Sequence, residues 1–307
     1  MVYYVAHRLF SAHDRALGAR VAEHLAAEAG ADAVFLPFCD TDEEDLVADV
    51  KGLRLYQLDT RRLGGLTGMI ALLHGPSLDD GVCMEVGYAA ALGVPVTILT
   101  TDFQTYDRAG RVPAWQFPDP LIEAVAHTVV RGSTLGPRTA AANRFAAFAD
   151  RNESQIDAAV CHGVDALLHA PAPVRPAPKE QRGVYIEASP YTPDSGLLAA
   201  ARSSGRPAHV SRRFTAGDPL GAAVEDWNLA AASCALVADV SGPETPPGAA
   251  ILIGAAAARR QRVIAYQPRP AYTHAPGREP NWRNLMIQYA SDLHATTLSD
   301  VTAGLES

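Results

Sequence analysis

An internal repeat is the feature that most constrains the fold of this chain. When residue n is aligned with residue n + 167, several landmarks coincide without gaps over more than fifty positions. They are Asp59 with Asp226, Gly81 with Gly248, Gly87 with Gly254, and Pro113-Ala114-Trp115 with Pro280-Asn281-Trp282. Near the front, Tyr3-Tyr4-Val5 matches Val184-Tyr185-Ile186 once differences in loop length are allowed. Matches in one register predict that the chain holds two copies of one smaller domain.

Each copy alternates short apolar runs with segments of helical periodicity. In the first copy, strands are predicted at Val2–Ala6, Val34–Pro37, Gly68–His74 and Val94–Thr100, and helices at Ala12–Glu28 and Met84–Leu92. In the second copy, strands are predicted at Val184–Glu187, Cys234–Val240 and Arg262–Gln267, and a helix at Ala249–Ala257. This alternation predicts an α/β protein of two tandem doubly wound (Rossmann- or flavodoxin-like) parallel sheets. Such sheets bind ligands at the carboxyl ends of their strands.

A proline-rich stretch separates the two copies. The segment Ala140–Ala170 has helical character, and prolines then recur at almost every second position from Pro171 to Pro178. Alternating prolines cannot support a helix, so this stretch is predicted to be an extended, semi-rigid linker. The predicted division is residues 1–169 for the first domain, 170–183 for the linker and 184–307 for the second domain.

Composition and charge exclude several classes of protein. A hydrophobic content of 48% with 20% charged residues is typical of a globular protein. A net charge of −8 without a basic cluster argues against a nucleic-acid polymer as partner. No apolar run reaches the roughly 18 residues of a membrane span, and the start, Met1–Val5, resembles a strand more than a signal peptide. The four scattered cysteines are expected to be reduced thiols. We therefore expect a soluble cytoplasmic protein.

Residues 79–88 carry the strongest chemical signal in the chain. Two carboxylates, Asp79 and Glu85, flank Gly81, which is expected to form a turn that opens an alanine-rich helix. The dipole at a helix N-terminus favours a carboxylate and is expected to keep it ionised, as a nucleophile must be. In the second copy the register position of Glu85 is taken by Leu252, which cannot act as nucleophile or base.

These motifs resemble the nucleoside 2-deoxyribosyltransferase family, including its nucleotide N-glycosidase relatives. The resemblance rests on four motifs: the strand from Tyr4 to Phe10-Ser11, the helical aspartate Asp59, the signature from Asp79 to Ala89, and Asn284-Leu285-Met286. The last motif occurs only in the second copy. Together the motifs cover most of the chain when both copies are counted.

The resemblance implies a role for each catalytic residue. Glu85 would attack C1′ of the sugar and form a covalent glycosyl-enzyme, as a retaining displacement requires. Tyr4 would orient Glu85, and Asp59 would help to protonate the leaving base. Asp79 would accept a hydrogen bond from the sugar 5′-hydroxyl. Relatives that prefer 5′-phosphates tend to carry serine there, so Asp79 favours nucleosides over nucleotides.

The remaining implied residues bind substrate. Leu9, Phe10, Gly81 and Met286 are predicted to contact it, and Phe10 is placed to stack on the base. Simpler structural roles stay open for several residues: a helix start for Glu85, a turn for Asp79, a core tyrosine for Tyr4, a solvated helix position for Asp59 and a core aromatic for Phe10. His7-Arg8 departs from the small residues usual in the family and is expected to crowd or charge the space near the base.

The two copies have lost complementary halves of the site. The first copy keeps Glu85 but has Phe117 at the register position of Asn284, and the second keeps Asn284 but has Leu252 for Glu85. In the resembling family, the Asn-Leu-Met loop of one subunit completes the site of its neighbour. The chain is therefore predicted to be a fused, asymmetric dimer with one working site.

Several alternatives remain at this point. The acceptor of the sugar is either a base, giving transfer, or water, giving hydrolysis. A 5′-nucleotide N-glycosidase is a second candidate, and a non-catalytic sensor of a nucleotide-derived ligand is a third. A further alternative is that the second copy is chiefly a scaffold for oligomerisation. The expected partners are a small-molecule nucleoside and nucleobase, with no membrane, and fused pairs are expected to form homo-oligomers. No cofactor is predicted, and no metal, because His162 and His169 lack ligand partners at suitable spacing.

Overall fold

The computed structural model describes most of the chain. The described ranges are residues 1–41, 51–75, 77–106, 115–132, 142–177, 180–192, 196–274 and 279–307. Pro113 and Ala114 of the repeat and Pro178 of the linker lie outside these ranges, so what was inferred from them stays a prediction.

The first domain is built on a five-stranded parallel sheet. Its strands are β1 (Tyr3–Ala6), β2 (Val34–Phe35), β3 (Gly68–Leu72), β4 (Val96–Thr100) and β5 (Thr128–Arg131). Its helices are α1 (Ala12–Ala29), α2 (Lys51–Leu63), α3 (Asp80–Ala91), α4 (Leu121–Val125) and α5 (Arg144–Leu168). The strand order is β2-β1-β3-β4-β5, so the topological switch lies between β1 and β3.

The second domain repeats this plan. Its strands are β6 (Val184–Glu187), β7 (Ala208–Val210), β8 (Ala235–Asp239), β9 (Arg262–Tyr266) and β10 (Leu293–Ala295). Its helices are α6 (Leu197–Ser203), α7 (Pro219–Ala231), α8 (Pro247–Arg259), α9 (Leu285–Ala290) and α10 (Leu298–Glu306). The strand order β7-β6-β8-β9-β10 matches that of the first sheet. The predicted fold class, α/β with two parallel-sheet domains, is confirmed, and the shared order supports the inferred duplication.

The two domains pack through α3 and α8 in a reciprocal arrangement. A Cβ atom on Gly87 would lie 1.9 Å from the carbonyl oxygen of Ile251, and one on Gly254 would lie 1.9 Å from that of Met84. Both members of one contact are shifted by 167 residues from those of the other, as in an isologous dimer interface. One continuous apolar cluster includes buried side chains from both sheets and both helices. The chain therefore has the architecture of a fused pseudo-dimer.

The predicted turn at Gly81 is wrong, because α3 begins at Asp80 and not at Met84. The side chain of Asp79 caps the helix by accepting a hydrogen bond from the backbone N–H of Val82 at 2.9 Å. An aspartate cap satisfies one of the free N–H groups of the first turn, so the helix extends back over the whole signature. Gly81 thus lies in the first helical turn.

The linker region agrees in outline with its composition. Helix α5 ends at Leu168 and β6 begins at Val184, and residues 171–177 are exposed and form no helix or strand. The backbone N–H of Val174 donates to the carbonyl of Gly93 at 3.1 Å. The domain boundaries themselves remain a prediction. All four cysteines are free thiols, and within the described ranges no helix has the length and apolar content needed to cross a membrane.

Candidate active site

A cavity of about 830 Å³ lies between the two domains. It opens beyond the carboxyl ends of β1 and β3, the switch point where doubly wound sheets bind ligands. The predicted site residues that line it are Leu9, Phe10, Asp59, Asp79, Gly81 and Glu85 from the first domain and Asn284 and Met286 from the second. Tyr4 is absent from the lining and contacts the site through Glu85. The structure thus brings together residues that are up to 282 positions apart.

Glu85 and Tyr4 are held against each other in the protein interior. The Tyr4 hydroxyl, on fully buried strand β1, donates a hydrogen bond of 2.7 Å to Oε1 of Glu85. Glu85 projects from the second turn of α3 and is 8% exposed. This hydrogen bond fixes the orientation of the carboxylate, because Tyr4 is itself locked in the sheet.

Burial acts on Glu85 in the direction opposite to that expected for the helix dipole. Burial raises the pKa of Glu85 well above the usual value for a glutamate, and the charge of Asp59 raises it further. The hydrogen bond from Tyr4 acts in the opposite direction and lowers this pKa, while the charge of Asp79 adds a smaller increase. Desolvation of a carboxylate therefore outweighs the helix terminus here.

Asp59 lies on α2 in the cavity wall, close enough for its charge to act on Glu85. The second domain holds the N-terminus of this helix, because Oε1 of Glu279 accepts a hydrogen bond of 2.8 Å from the N–H of Gly52. The Tyr289 hydroxyl donates to the same oxygen. Both domains therefore determine where Asp59 lies relative to Glu85.

Asp79 lies at the centre of a charged group at one end of the cavity. While its Oδ1 atom caps α3, its Oδ2 atom lies 3.7 Å from Nε of Arg8. Arg8 also approaches Glu244 of the second domain at 3.8 Å and donates to the carbonyl of Ser77 at 2.7 Å. Burial, followed by the charge of Asp80, raises the pKa of Asp79 to about 6. Arg8 thus charges the region around Asp79, whereas the sequence suggested only the space near the base.

Asn284 reaches across the domain interface onto the start of α3. Its side chain caps α9 by accepting from the N–H of Met286 at 2.9 Å. A Cβ atom on Gly81 would lie 2.8 Å from the Nδ2 atom of Asn284. Glycine at position 81 is what allows this close approach. Met286 is 4% exposed, packs in the apolar core and also lines the cavity.

Leu9 and Phe10 form the rim of the cavity on the β1–α1 connection. Phe10 is 74% exposed, so it is not a core aromatic. A ring in this position is available to cover a ligand that enters between the domains.

Two buried polar residues that line the cavity, His7 and Asp14, were not predicted as site residues. Asp14 is 4% exposed, accepts from the Ser11 hydroxyl, and lies 3.2 Å from Nε2 of His74. His7 and Asp14 are expected to differ in charge. Burial lowers the pKa of His7, which favours its neutral form. Hydrogen bonds from Ser11 and His74 keep the pKa of Asp14 low despite its burial. The available signal for Asp14 was its position three residues after Ser11, the N-cap of α1.

A second group missed from the sequence comes from the second domain. Arg283 donates to the carbonyls of Val240 and Gly242 and so holds the turn after β8 beside Asn284. Glu244 accepts a hydrogen bond of 2.6 Å from the Ser77 hydroxyl. Ser77 and Glu244 are themselves 167 residues apart, so register partners meet at the pseudo-two-fold axis. The repeat was the signal that would have identified Glu244.

The register counterparts of the site residues have become core. Leu252, opposite Glu85, is 1% exposed, and Phe117, opposite Asn284, is 3% exposed. Both belong to the apolar cluster that joins the domains. At these two positions, apolar packing therefore replaces the side chain that the other copy retains.

Comparison with known proteins gives one informative match. The family model described as "Nucleoside 2-deoxyribosyltransferase" matches residues 2–129. Among solved structures, a "conserved protein from Enterococcus faecalis V583" aligns with a TM-score of 0.35 and 22% sequence identity, over 50% of this chain and 98% of that one. No curated protein matches the chain. Residues 2–129, which carry Tyr4, Asp59, Asp79 and Glu85, are thus similar to the nucleoside 2-deoxyribosyltransferase family.

Proposed function

We propose that this protein breaks the N-glycosidic bond of a nucleoside at Glu85 and passes the sugar to a second base or to water. The family match over residues 2–129 supports nucleoside glycosyl transfer in general. The observation that carries the specific proposal is the 2.7 Å hydrogen bond from Tyr4 to Glu85 beside a cavity that both domains form. A carboxylate oriented in this way is suited to attack an anomeric carbon.

The chemistry consists of two displacements. One carboxylate oxygen of Glu85 bonds to C1′ as the C1′–N bond breaks, and the bonding electron pair leaves with the base, which takes up a proton. A ring nitrogen of a second base, or a water oxygen, then attacks C1′, passes its proton to Asp59 and breaks the ester. Glu85 is regenerated as a carboxylate, and two inversions give net retention.

Asp59 supplies the proton for the leaving base in this scheme. Its charge raises the pKa of Glu85, so ionisation of either carboxylate disfavours ionisation of the other. When the proton of the pair is on Asp59, Glu85 is the ionised nucleophile and Asp59 is the acid. One shared proton thus produces both catalytic forms.

The charges around Asp79 favour a neutral 5′-hydroxyl over a phosphate. Asp79, Asp80 and Glu244 contribute three carboxylates at this end of the cavity, against the cations Arg8 and Arg283. A phosphate there would face a net negative region. The cation of Arg8 beside Asp79 is the one feature that favours the alternative, a 5′-nucleotide N-glycosidase.

Asn284 completes the site from the second domain. Its position over Gly81 supports a contact with the sugar next to Asp79 and Glu85. One working site per chain follows, since Leu252 cannot replace Glu85 in the second copy. Assembly of these fused pairs into larger homo-oligomers stays a prediction.

Intact-protein mass spectrometry with a panel of deoxynucleosides, ribonucleosides and their monophosphates tests the proposal, with base release measured in parallel. Wild-type protein should gain the mass of one sugar, and Glu85→Gln should gain none while remaining folded. Asn284→Ala should lower kcat/KM by about ten-fold or more, an effect of about 1.4 kcal/mol or more. Asn143→Ala, which removes a similar helix cap from α5 away from the cavity, is the matched control.

An adduct that persists on Glu85→Gln would refute the nucleophile. Wild-type kinetics in Asn284→Ala would refute the shared site. No adduct and no released base across the whole panel would favour a ligand sensor over an enzyme.

A further inference from the structure

The second copy retains several residues that correspond to the site of the first copy, but it has no counterpart of the nucleophile Glu85. Tyr185 occupies the position of Tyr4 in its own sheet. Tyr4 pairs with Met69 of β3 and Tyr185 pairs with Leu236 of β8, and Met69 and Leu236 are at equivalent positions of the repeat. Asp226 and Gly248 occupy the register positions of Asp59 and Gly81. The pocket between these residues is filled by Arg213, which lies on the connection between β7 and α7 and is 1% exposed.

The guanidinium of Arg213 takes the place that Asn284 has in the working site. A Cβ atom on Gly248 would lie 2.1 Å from Nη2 of Arg213, just as one on Gly81 would lie 2.8 Å from Nδ2 of Asn284. Glycine is retained at both positions, and in each a nitrogen of another segment rests on the first turn of the helix. The two pockets are therefore equivalent in position and differ in occupant.

The pocket satisfies the guanidinium completely. Asp119 accepts from Nε at 2.7 Å and from Nη2 at 2.8 Å. Glu187 accepts from Nη1 at 3.0 Å and also from Nη2. Asp226 accepts from Nη1 at 3.3 Å. These five hydrogen bonds match the five N–H donors of an arginine head group, and each of the three carboxylates is at most 3% exposed.

The cluster joins the two domains. Asp119 belongs to the first domain, next to α4, whereas Arg213, Glu187 and Asp226 belong to the second. Position 119 is the register counterpart of Met286, in the segment that crosses the interface in the opposite direction to the working site. Each copy thus sends one segment across the pseudo-two-fold axis into the pocket of the other.

We propose that the second pocket is a guanidinium-binding site, permanently occupied by the chain's own Arg213, and that this occupancy fixes the two domains so that Asn284 lies over Gly81. The pocket selects a planar cation with five donors, because three buried carboxylates surround it and a bidentate partner lies on each side. Arg213 is a positioning residue that acts through the domain interface. This positioning role rests on the proposed function, whereas the guanidinium pocket does not.

Chemical rescue of Arg213→Ala tests the pocket. The variant should melt several degrees below wild type, since three buried carboxylates lose their cation. Guanidinium chloride at millimolar concentration, far below denaturing levels, should raise the melting temperature in a saturable manner, and equal concentrations of sodium chloride should not. Calorimetric titration should show one guanidinium bound per Arg213→Ala chain and none per wild-type chain.

Arg212→Ala is the matched control. Its side chain is 67% exposed and reaches Glu225 only at 4.0 Å, so its removal should change neither stability nor guanidinium binding. Arg213→Lys tests the requirement for five donors if Arg213→Ala fails to fold, and it should be clearly less stable than wild type. A fully stable Arg213→Lys, or absence of guanidinium binding to folded Arg213→Ala, would overturn the guanidinium site.

Kinetics test the positioning role separately. Arg213→Ala should lower kcat/KM for the nucleoside several-fold at temperatures well below its melting point, and guanidinium should restore it. In an Asn284→Ala background the same substitution should have no further effect, because the contact that it positions is already absent. Additive losses in the double variant would refute positioning through Asn284 and leave the pocket intact. An inactive wild type would refute only the proposed function.

Discussion

At the scale of single residues, burial and one hydrogen bond act in opposite directions on the protonation of Glu85. Burial raises the pKa of Glu85 and the Tyr4 hydrogen bond lowers it. Attack on the sugar needs the ionised form, so kcat/KM should fall as the pH drops below this pKa. The acid limb of the profile should therefore lie above the ordinary glutamate range.

Tyr4→Phe should move this acid limb to higher pH. The variant removes a hydrogen bond that stabilises the ionised form, and a hydrogen bond to a charged group corresponds to about one pKa unit or more. The loss of kcat/KM should be largest on the acid side and shrink toward alkaline pH. Tyr3→Phe, on the same strand but packed in the cluster on the other face, should leave the profile unchanged. A Tyr4→Phe limb at the wild-type pH would contradict the assigned role of Tyr4.

Asp79→Ser should shift preference toward 5′-monophosphates. Serine also caps helices, so α3 should keep its start. The substitution removes the carboxylate that we propose to face the 5′ position, and Arg8 loses that partner. We expect the ratio of kcat/KM for monophosphate over nucleoside to rise by about ten-fold. Asp218→Ser is the matched control, because Asp218 caps α7 and does not line the cavity. An unchanged ratio in Asp79→Ser would show that Asp79 does not face the 5′ position.

At the scale of elements, the packing of α3 on α8 should not tolerate side chains at the crossing. Gly87→Ala and Gly254→Ala each place a Cβ atom 1.9 Å from a backbone carbonyl oxygen, which rotamer changes cannot relieve. We expect each to destabilise the protein by about 3 kcal/mol or more, the upper end for overpacking, and to a similar extent because the contacts are reciprocal. Thermal unfolding measures this effect. Gly217→Ala, where a Cβ atom meets nothing within 4 Å, should be neutral, and equal stability of all three variants would contradict the close crossing.

The elements also show where sequence reasoning succeeds and where it stops. Buried strands with continuous apolar runs were predicted well: β6 has the predicted bounds, and β3 differs only at its end. The strands at or near the sheet edges, β5, β7 and β10, have only three or four residues and are partly exposed, so they leave no apolar run to detect. The start of α3 was misplaced because a cap depends on one side-chain bond, which periodicity does not record.

The residues of the candidate site also divide into those that sequence reasoning identified and those that it missed. Residues within a motif, such as Asp79 and Glu85, were predictable because their spacing is local and chemically specific. The partners of Arg213 were not, since Asp119 lies 94 positions away in the chain and the pairing depends on how the two domains meet. The sequence places Glu187 at the end of a predicted strand and Asp226 at the register position of Asp59. Their common contact with one arginine is a property of the fold.

At the scale of the whole molecule, the two domains share one apolar core. The apolar cluster at their interface contains the buried faces of α3 and α8 together with residues from both sheets, as in obligate dimers. The domain interface, and not the linker, therefore holds the working site together. Covalent continuity matters for the proposed mechanism only because it guarantees that one copy with Glu85 meets one with Asn284.

Cleavage of the linker should therefore leave the protein assembled and active. A protease recognition sequence inserted between Ala172 and Pro173 lies in an exposed stretch and spares the contact of Val174 with Gly93. After complete cleavage, the two fragments should co-elute in gel filtration at the volume of the uncut chain and keep the wild-type kcat/KM. Adding Asp119→Asn to the cut protein weakens the Arg213 cluster at the interface, and the fragments should then separate at lower denaturant concentration. Separation of the cut wild-type fragments in buffer alone would mean that the linker, and not the shared core, holds Asn284 over Gly81.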